Sequence, residues 1–293
     1  MDWNLNDLYG NIKSKKILND FSKLDKKALR FNNNFKNKIN NKISPNRLYE
    51  AIVELEKIYE GPGKISSYAS LNFAANTNNE KISQFYQSTS EKVSQIRKNL
   101  LFFFIDWNNI DSKNAKRLYK STKLAKYKNL LESERKYKPY LLNESEERIL
   151  DQKSLTSSRA FNRLFDETLN NIVFNFDSNG KVKKLSETQA LSLLYDKNRK
   201  VRLNAAKALT NGLNSEKRLI TFIFNQILSD CKIVNDLRGY KNPIDSRNLS
   251  NEINMETVQA LITTCNKNNS LVHRYYRLRS EEHTSELQSP MYL

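Results

Sequence analysis

Glycine and proline are scarce in this chain, with 6 and 5 among 293 residues. A β-sandwich or barrel reverses direction roughly every 8–12 residues and draws on Gly and Pro to do so. The shortage argues against an all-β fold and for helix. Cysteine is scarcer still. Cys231 and Cys265 form no CxxC pair, which excludes a thiolate metal knuckle and a disulfide framework and suits a reducing compartment. Both are read as small buried hydrophobes. Histidine occurs twice, at positions 273 and 283, so imidazole chemistry has little to draw on. The longest apolar run, residues 100–105, is far short of the roughly 20 residues that a membrane span requires. The opening MDWNLNDLYG carries acids and lacks the apolar stretch of a secretory leader, so a cytoplasmic, membrane-free protein is expected.

What the chain does have is aromatic and basic. Hydrophobic residues make up 38%, with 14 Tyr and 14 Phe, enough to drive folding. Lys and Arg outnumber Asp and Glu by 49 to 32, giving a net charge of +17 and a pI near 9.6. Such a surplus points to a binder of nucleic acid or another anionic surface, because cations release counterions from phosphates. An AT-rich coding bias, which enriches Lys, Asn and Ile together, explains the same surplus. Uncharged Asn is abundant too, and the positive charge is spread along the chain rather than blocked. These two facts favour coding bias. A basic helical nucleic-acid-binding or interaction protein stays as the alternative.

The apolar spacing predicts a succession of helices. Ser44 caps and Pro45 opens one that carries Leu48, Ile52, Leu55 and Tyr59, stopped by Gly61-Pro62-Gly63. A long helix follows through Phe85, Val93, Ile96, Leu100 and Phe104, ending before Asn108-Asn109. Asp111 caps the next, with Leu118, Ala125 and Leu130 inward, and the two pair as an antiparallel hairpin. After the break at Pro139, Asn143 and Glu146 form a capping pair. Thr156 starts a helix with Phe161, Leu164, Phe165 and Leu169 on one side. Residues 172–177 alternate apolar and polar, Asn179-Gly180 suits a type I′ turn, and residues 181–185 return, so one β-hairpin is expected. Asp196 then caps a helix with Val201, Ala205 and Leu209, ended by Asn211-Gly212. Residues 215–234 form the most apolar helix, with Leu219, Ile220, Ile223, Ile227 and Cys231 inward. A loop over residues 235–254 leads to a last helix through Val258, Leu261, Ile262 and Leu271. No repeat period and no low-complexity linker is visible.

Several segments, in order, resemble the N-terminal half of oligoendopeptidase F and its relatives in the thimet-oligopeptidase group of zinc metallopeptidases. The opening Trp3-Asn4-Leu5 and Asp7-Leu8-Tyr9 is similar to that family's W-D-L-x-D-L-Y. GKISSYASLNFAANT (residues 63–77) matches its GKxxSYAxLxFxxNT, and FFFID (102–106) stands where relatives carry FFxxE, Asp106 being a departure. YKPYLLNESEERIL (137–150), TSSRAFNRLFDE (156–167), DKNRKVRLNAAKAL (196–209) and RGYKNPIDSRNLSNEI (238–253) continue the likeness. The resemblance implies a mostly α protein, the helical-hairpin N-terminal lobe of a two-lobed peptidase with one small β-hairpin near residues 172–185. It implies an N-terminal helical region over 1–114, the family's N-terminal domain over 115–185, and the start of the peptidase domain over 196–278. It also implies oligopeptide substrates, and zinc held by an HExxH motif and a further Glu in the C-terminal half of the intact enzyme. The closing residues, 279–293, resemble something else. RSEEHTSELQS (279–289) is similar to the in-frame translation of a DNA-sequencing adapter, and the tail contains no Lys, Asn or Ile. The natural chain is therefore expected to break off near Leu278, leaving a fragment of the enzyme.

The zinc chemistry itself is missing from the sequence. HExxH needs two His one helical turn apart, with the intervening Glu as general base. His273 lies in LVHRYY without such a partner, and His283 follows Glu281-Glu282 inside the adapter-like tail. No catalytic residue, no metal ligand and no bound zinc are expected in this chain, which is expected to be inactive alone. The adjacent acids Glu146-Glu147 and Asp166-Glu167 point apart on helices and read as solvated faces. A Ser or Cys nucleophile needs a His base, and only His273 is available. Gly61-Pro62-Gly63 lacks the Lys-Ser/Thr of a phosphate loop. Substrate-binding candidates are Arg238 and Arg247, whose guanidinium forks suit a peptide carboxylate, and Tyr240, whose hydroxyl suits a peptide backbone. Packing of that loop is the competing reading. Tyr68 and Asn72 share a helix face that either lines a channel or is buried.

Overall fold

Short polar side chains start most of the helices. In the computed structural model, which describes residues 3–282 and their side chains as far as Leu278, Ser14, Ser44, Asn79, Asp111, Asn143, Ser186 and Asn198 each accept a hydrogen bond from a first-turn amide. These bonds satisfy donors that have no partner within the helix. The chain divides into two compact units, Met1–Ala160 with Asp230–Pro243, and Phe161–Ser229 with Ile244–Leu293. The architecture is mostly α with one two-stranded antiparallel sheet, as the sequence indicates.

The first unit holds α1 (Lys15–Phe35), α2 (Pro45–Ala75), α3 (Glu80–Lys98), α4 (Phe102–Asn109), α5 (Ser112–Tyr119), α6 (Lys128–Arg135) and α7 (Glu144–Ser154). α8 (Ser158–Asn171) begins in it. Its core is aromatic. Phe31 lies 4.9 Å from Phe35 and 5.6 Å from Phe102, ring centre to ring centre. Trp107 is fully buried, and its indole Nε1 donates to the Leu131 carbonyl at 3.0 Å. After the turn at residues 76–79, α3 folds back along α2, and Phe73 stacks on Tyr86 at 4.8 Å. Tyr68 is buried, which settles it as packing.

Three expectations fail here, the first two through a partner distant in sequence. Gly61-Pro62-Gly63 does not end α2, which runs on to Ala75 with Pro62 buried inside it. A Cβ at position 61 would strike the Leu24 side chain, so the glycine lets α1 approach closely. Packing of buried Pro62 and its helical neighbours Ile58 and Ile65 offsets the amide that proline removes. The helix expected through Phe104 breaks at residues 99–101. Asn32 of α1 donates to the Asn99 carbonyl at 3.0 Å, and Leu100 N–H turns tightly back to Arg97 O at 2.8 Å. The helix expected beyond Asp111 ends at Tyr119 and yields to a 3₁₀ helix, Thr122–Tyr127. Three residues per turn instead of 3.6 advances the inward face. Leu124 and Leu131 are buried, while Ala125 and Leu130 are exposed.

The second unit is built on β1 (Phe174–Ser178) and β2 (Lys181–Leu185), paired Phe176 to Lys183. Asn179 and Gly180 both have positive φ, 54° and 81°, as a type I′ turn demands. Then come α9 (Glu187–Ser192), α10 (Arg199–Ser215), α11 (Lys217–Arg238), α12 (Asp245–Ser250) and α13 (Met255–Glu282). Phe174 and Phe176 turn inward and pack with Ala190, Ala205 and Ala208 in two small clusters. Gly212, expected as a terminator, sits inside α10 instead; a Cβ there would come within 2.5 Å of the Phe174 ring, so the glycine admits that close approach. Asn198 rather than Asp196 caps α10, and Asp196 accepts from the Asn198 amide at 2.7 Å. α11 runs four residues past its expected end, and α12 occupies part of the expected loop. Ile223 is buried, but Cys231 and Cys265 are exposed, as are Leu261, Ile262 and Leu271. Facing neighbours, not sequence spacing, decide burial, and α11 and α13 have few. α13 stays helical past Leu278, whereas His283 and the rest of the adapter-like tail lie outside the described residues.

Candidate functional site

The segment that the sequence singled out for substrate contact closes on itself. Within the first unit, a capping box fixes the start of α7: Asn143 Oδ1 accepts from Glu146 N–H at 3.0 Å, and Glu146 returns the bond to Asn143 N–H at 3.0 Å. That box aims the next residue, Glu147, back over the preceding loop. Its Oε1 accepts from Leu142 N–H at 3.2 Å and from Arg238 at 2.7 Å, and its Oε2 accepts from Arg238 at 2.8 Å. The pair is bidentate and largely shielded, with side chains 23% and 13% exposed for Arg238 and Glu147. Arg238 also donates to the Tyr140 carbonyl at 3.2 Å. Its bonds to Glu147, opposed in part by burial, hold the guanidinium still further above its usual basicity.

The neighbouring turn has its own logic. α11 ends in a Schellman motif, with Gly239 left-handed at φ 77° and Tyr240 N–H bonded to Asn235 O at 3.0 Å. The turn lays the Tyr240 ring flat on Tyr140, 4.0 Å away and 16° from parallel. Buried Asn235 donates to the Pro243 carbonyl at 3.4 Å and closes the loop. Arg238 and Tyr240 are thus brought together, and the fork expected to meet a peptide carboxylate meets Glu147. Arg247 lies on α12 in the second unit and is exposed.

Sequence reasoning missed Glu147, which it placed on a solvated face with Glu146, and Tyr140. The residues lie 91 positions from Arg238 and 100 from Tyr240 respectively, so no local pattern links them. A second carboxylate was missed as well. Asp151 of α7 accepts from Ser94 at 2.5 Å, Arg159 at 3.1 Å and Arg97 at 3.4 Å, tying α3, α7 and the start of α8. Asp106, the departure from FFxxE, accepts from the Asn37 amide at 3.2 Å, and burial raises its carboxyl above the usual range. Glu167 pairs with Arg163 along α8 at 2.8 Å.

The donor set for zinc does not assemble among the described residues. No three of His, Cys, Asp and Glu converge there, and His273 is exposed on α13. No described helix is long and apolar enough to cross a membrane.

Comparison with known proteins agrees with the fold. Residues 106–174 match the family model described as Oligopeptidase F. Oligopeptidase PepF of Bacillus subtilis (strain 168) is 25% identical over 263 residues, which are 85% of this chain and 38% of that protein. The chain therefore spans well under half the length of that relative. The crystal structure of oligoendopeptidase-F from Enterococcus faecium superposes with a TM-score of 0.76 at 19% identity, covering 91% of this chain and 53% of the other. At that identity the likeness concerns the fold.

Proposed function

We propose that this chain is the N-terminal part of a cytosolic zinc metalloendopeptidase that hydrolyses oligopeptides, and that it forms substrate-contacting wall rather than catalytic centre. The observation that carries the reading is the agreement of two independent matches. The Oligopeptidase F model covers residues 106–174, and the likeness to an oligoendopeptidase-F fold extends over 91% of the chain. HExxH is absent from the 293 residues, and the described donors do not fit a zinc ion, so no hydrolytic step is assigned to them. In the intact family enzyme zinc supplies water activation. The contribution of this chain is to bind and orient the peptide.

Of the three candidate contacts, exposed Arg247 is proposed as the direct one, its planar fork suited to a peptide's C-terminal carboxylate. Arg238 and Tyr240 support the adjoining segment, since both side chains are engaged within the first unit. The decisive experiment is an assay of the purified 293-residue chain on a short quenched peptide with added zinc. No cleavage is expected. Chelator-sensitive cleavage would overturn the division of labour. A gel shift with RNA or DNA that is tight and sequence-selective would replace the peptidase reading with the binding one, since weak retardation is all that net positive charge alone produces.

A further inference from the structure

We propose that Arg238, Glu147, Tyr140 and Tyr240 form a latch that fixes the arm Asp230–Pro243 onto the first unit. The chain passes through the second unit before this arm and re-enters it afterwards. An arm placed in that way has no sequence neighbours in its own unit, so side chains must hold it. Three separate devices meet within a few residues. The bidentate Arg238–Glu147 pair supplies two charge-assisted bonds at 2.7 and 2.8 Å, with the Tyr140 carbonyl as a further acceptor. The Tyr140–Tyr240 stack adds a second, ring-on-ring contact between the same two stretches of chain. The Schellman turn at Gly239 and the Asn235–Pro243 bond keep the arm's own loop from fraying.

Glu147 is well prepared for the role. The Asn143–Glu146 capping box orders the turn that presents it, and Leu142 N–H also binds its Oε1. An exposed ion pair contributes little. This pair is bidentate and shielded on both sides, so losing one partner strands a charge that water reaches poorly. Arg238 and Tyr240 are therefore positioning residues: they hold the arm, as far as Pro243, on the first unit. The proposal is independent of the peptidase reading, because its readout is the local opening of the chain itself.

Limited trypsin digestion of the full 293-residue chain tests it, using the bond after exposed Lys241 as the reporter and that after Lys120 as an internal control. Glu147→Gln and Arg238→Ala should each speed cleavage after Lys241 by about tenfold or more, as expected when a local opening is eased, and leave Lys120 unchanged. Arg238→Glu combined with Glu147→Arg should restore much of the protection. Unaltered cleavage at Lys241 in Glu147→Gln would refute the latch, as would equal acceleration at both bonds or failure of the exchanged pair to protect. If the exchanged pair does not fold, the near-isosteric Glu147→Gln decides alone.

Discussion

The two units solve the problem of burial differently. The first gathers Phe31, Phe35, Phe102, Phe103 and Trp107 at nearly zero exposure in one continuous core. The second has two small clusters, in which Phe174 and Phe176 meet alanines and a glycine of α10. Its remaining described apolar side chains largely face outward. Phe222 is 52% exposed, Phe224 59% and Leu261 65%. The sequence makes both regions apolar, yet only neighbours on the facing side turn an apolar helix into core. Interlocking aromatics make the first unit sensitive to lost volume. Close approach at Gly212 makes the second, which has little other core, sensitive to added volume, whereas in the first the Gly61–Leu24 contact is one tight point in a large core.

That contrast can be broken most forcefully at Trp107. Trp107→Ala should cost about 3–5 kcal/mol, because it opens a large cavity and strands the Leu131 carbonyl. Chemical denaturation followed by far-UV dichroism measures it, and a loss below about 1 kcal/mol would mean that the first unit collapses around missing volume more readily than its packing implies. The opposite change belongs to the second unit. Gly212→Val should destabilise it by about 1–3 kcal/mol, since the new side chain meets the Phe174 ring. Hydrogen exchange should then show lost protection in the β-hairpin and α10 with the first unit's amides intact. Exchange spreading evenly through both would show that the units melt as one. The smallest effect is expected at an outward residue. Phe224→Ser should shift stability by no more than about 0.5 kcal/mol. It should nonetheless reduce self-association measured by light scattering, because exposed apolar patches promote it. Scattering that is unchanged would indicate that this face is not sticky.

Features written within a few residues were legible beforehand. The Ser44-Pro45 start, the Asn143–Glu146 capping box and the Asn179-Gly180 hairpin needed no distant partner. Features that depend on a distant partner were not. Gly61-Pro62-Gly63 reads as a stop until Leu24 is placed beside it. The break after α3 depends on Asn32, and the 3₁₀ segment that moves burial from Leu130 to Leu131 has no marker in the apolar spacing. The candidate site divides the same way. Arg238 and Tyr240 were found from their segment, but their partners Glu147 and Tyr140 lie elsewhere in the chain and redirect their role.

One long element has a mechanical consequence. α2 continues for 31 residues, and at 1.5 Å per residue it reaches about 46 Å. A rod of that length transmits a tilt applied near Ser44 to Asn76 with little loss. Pro62, lacking the amide that would brace its turn, is where such a beam yields first.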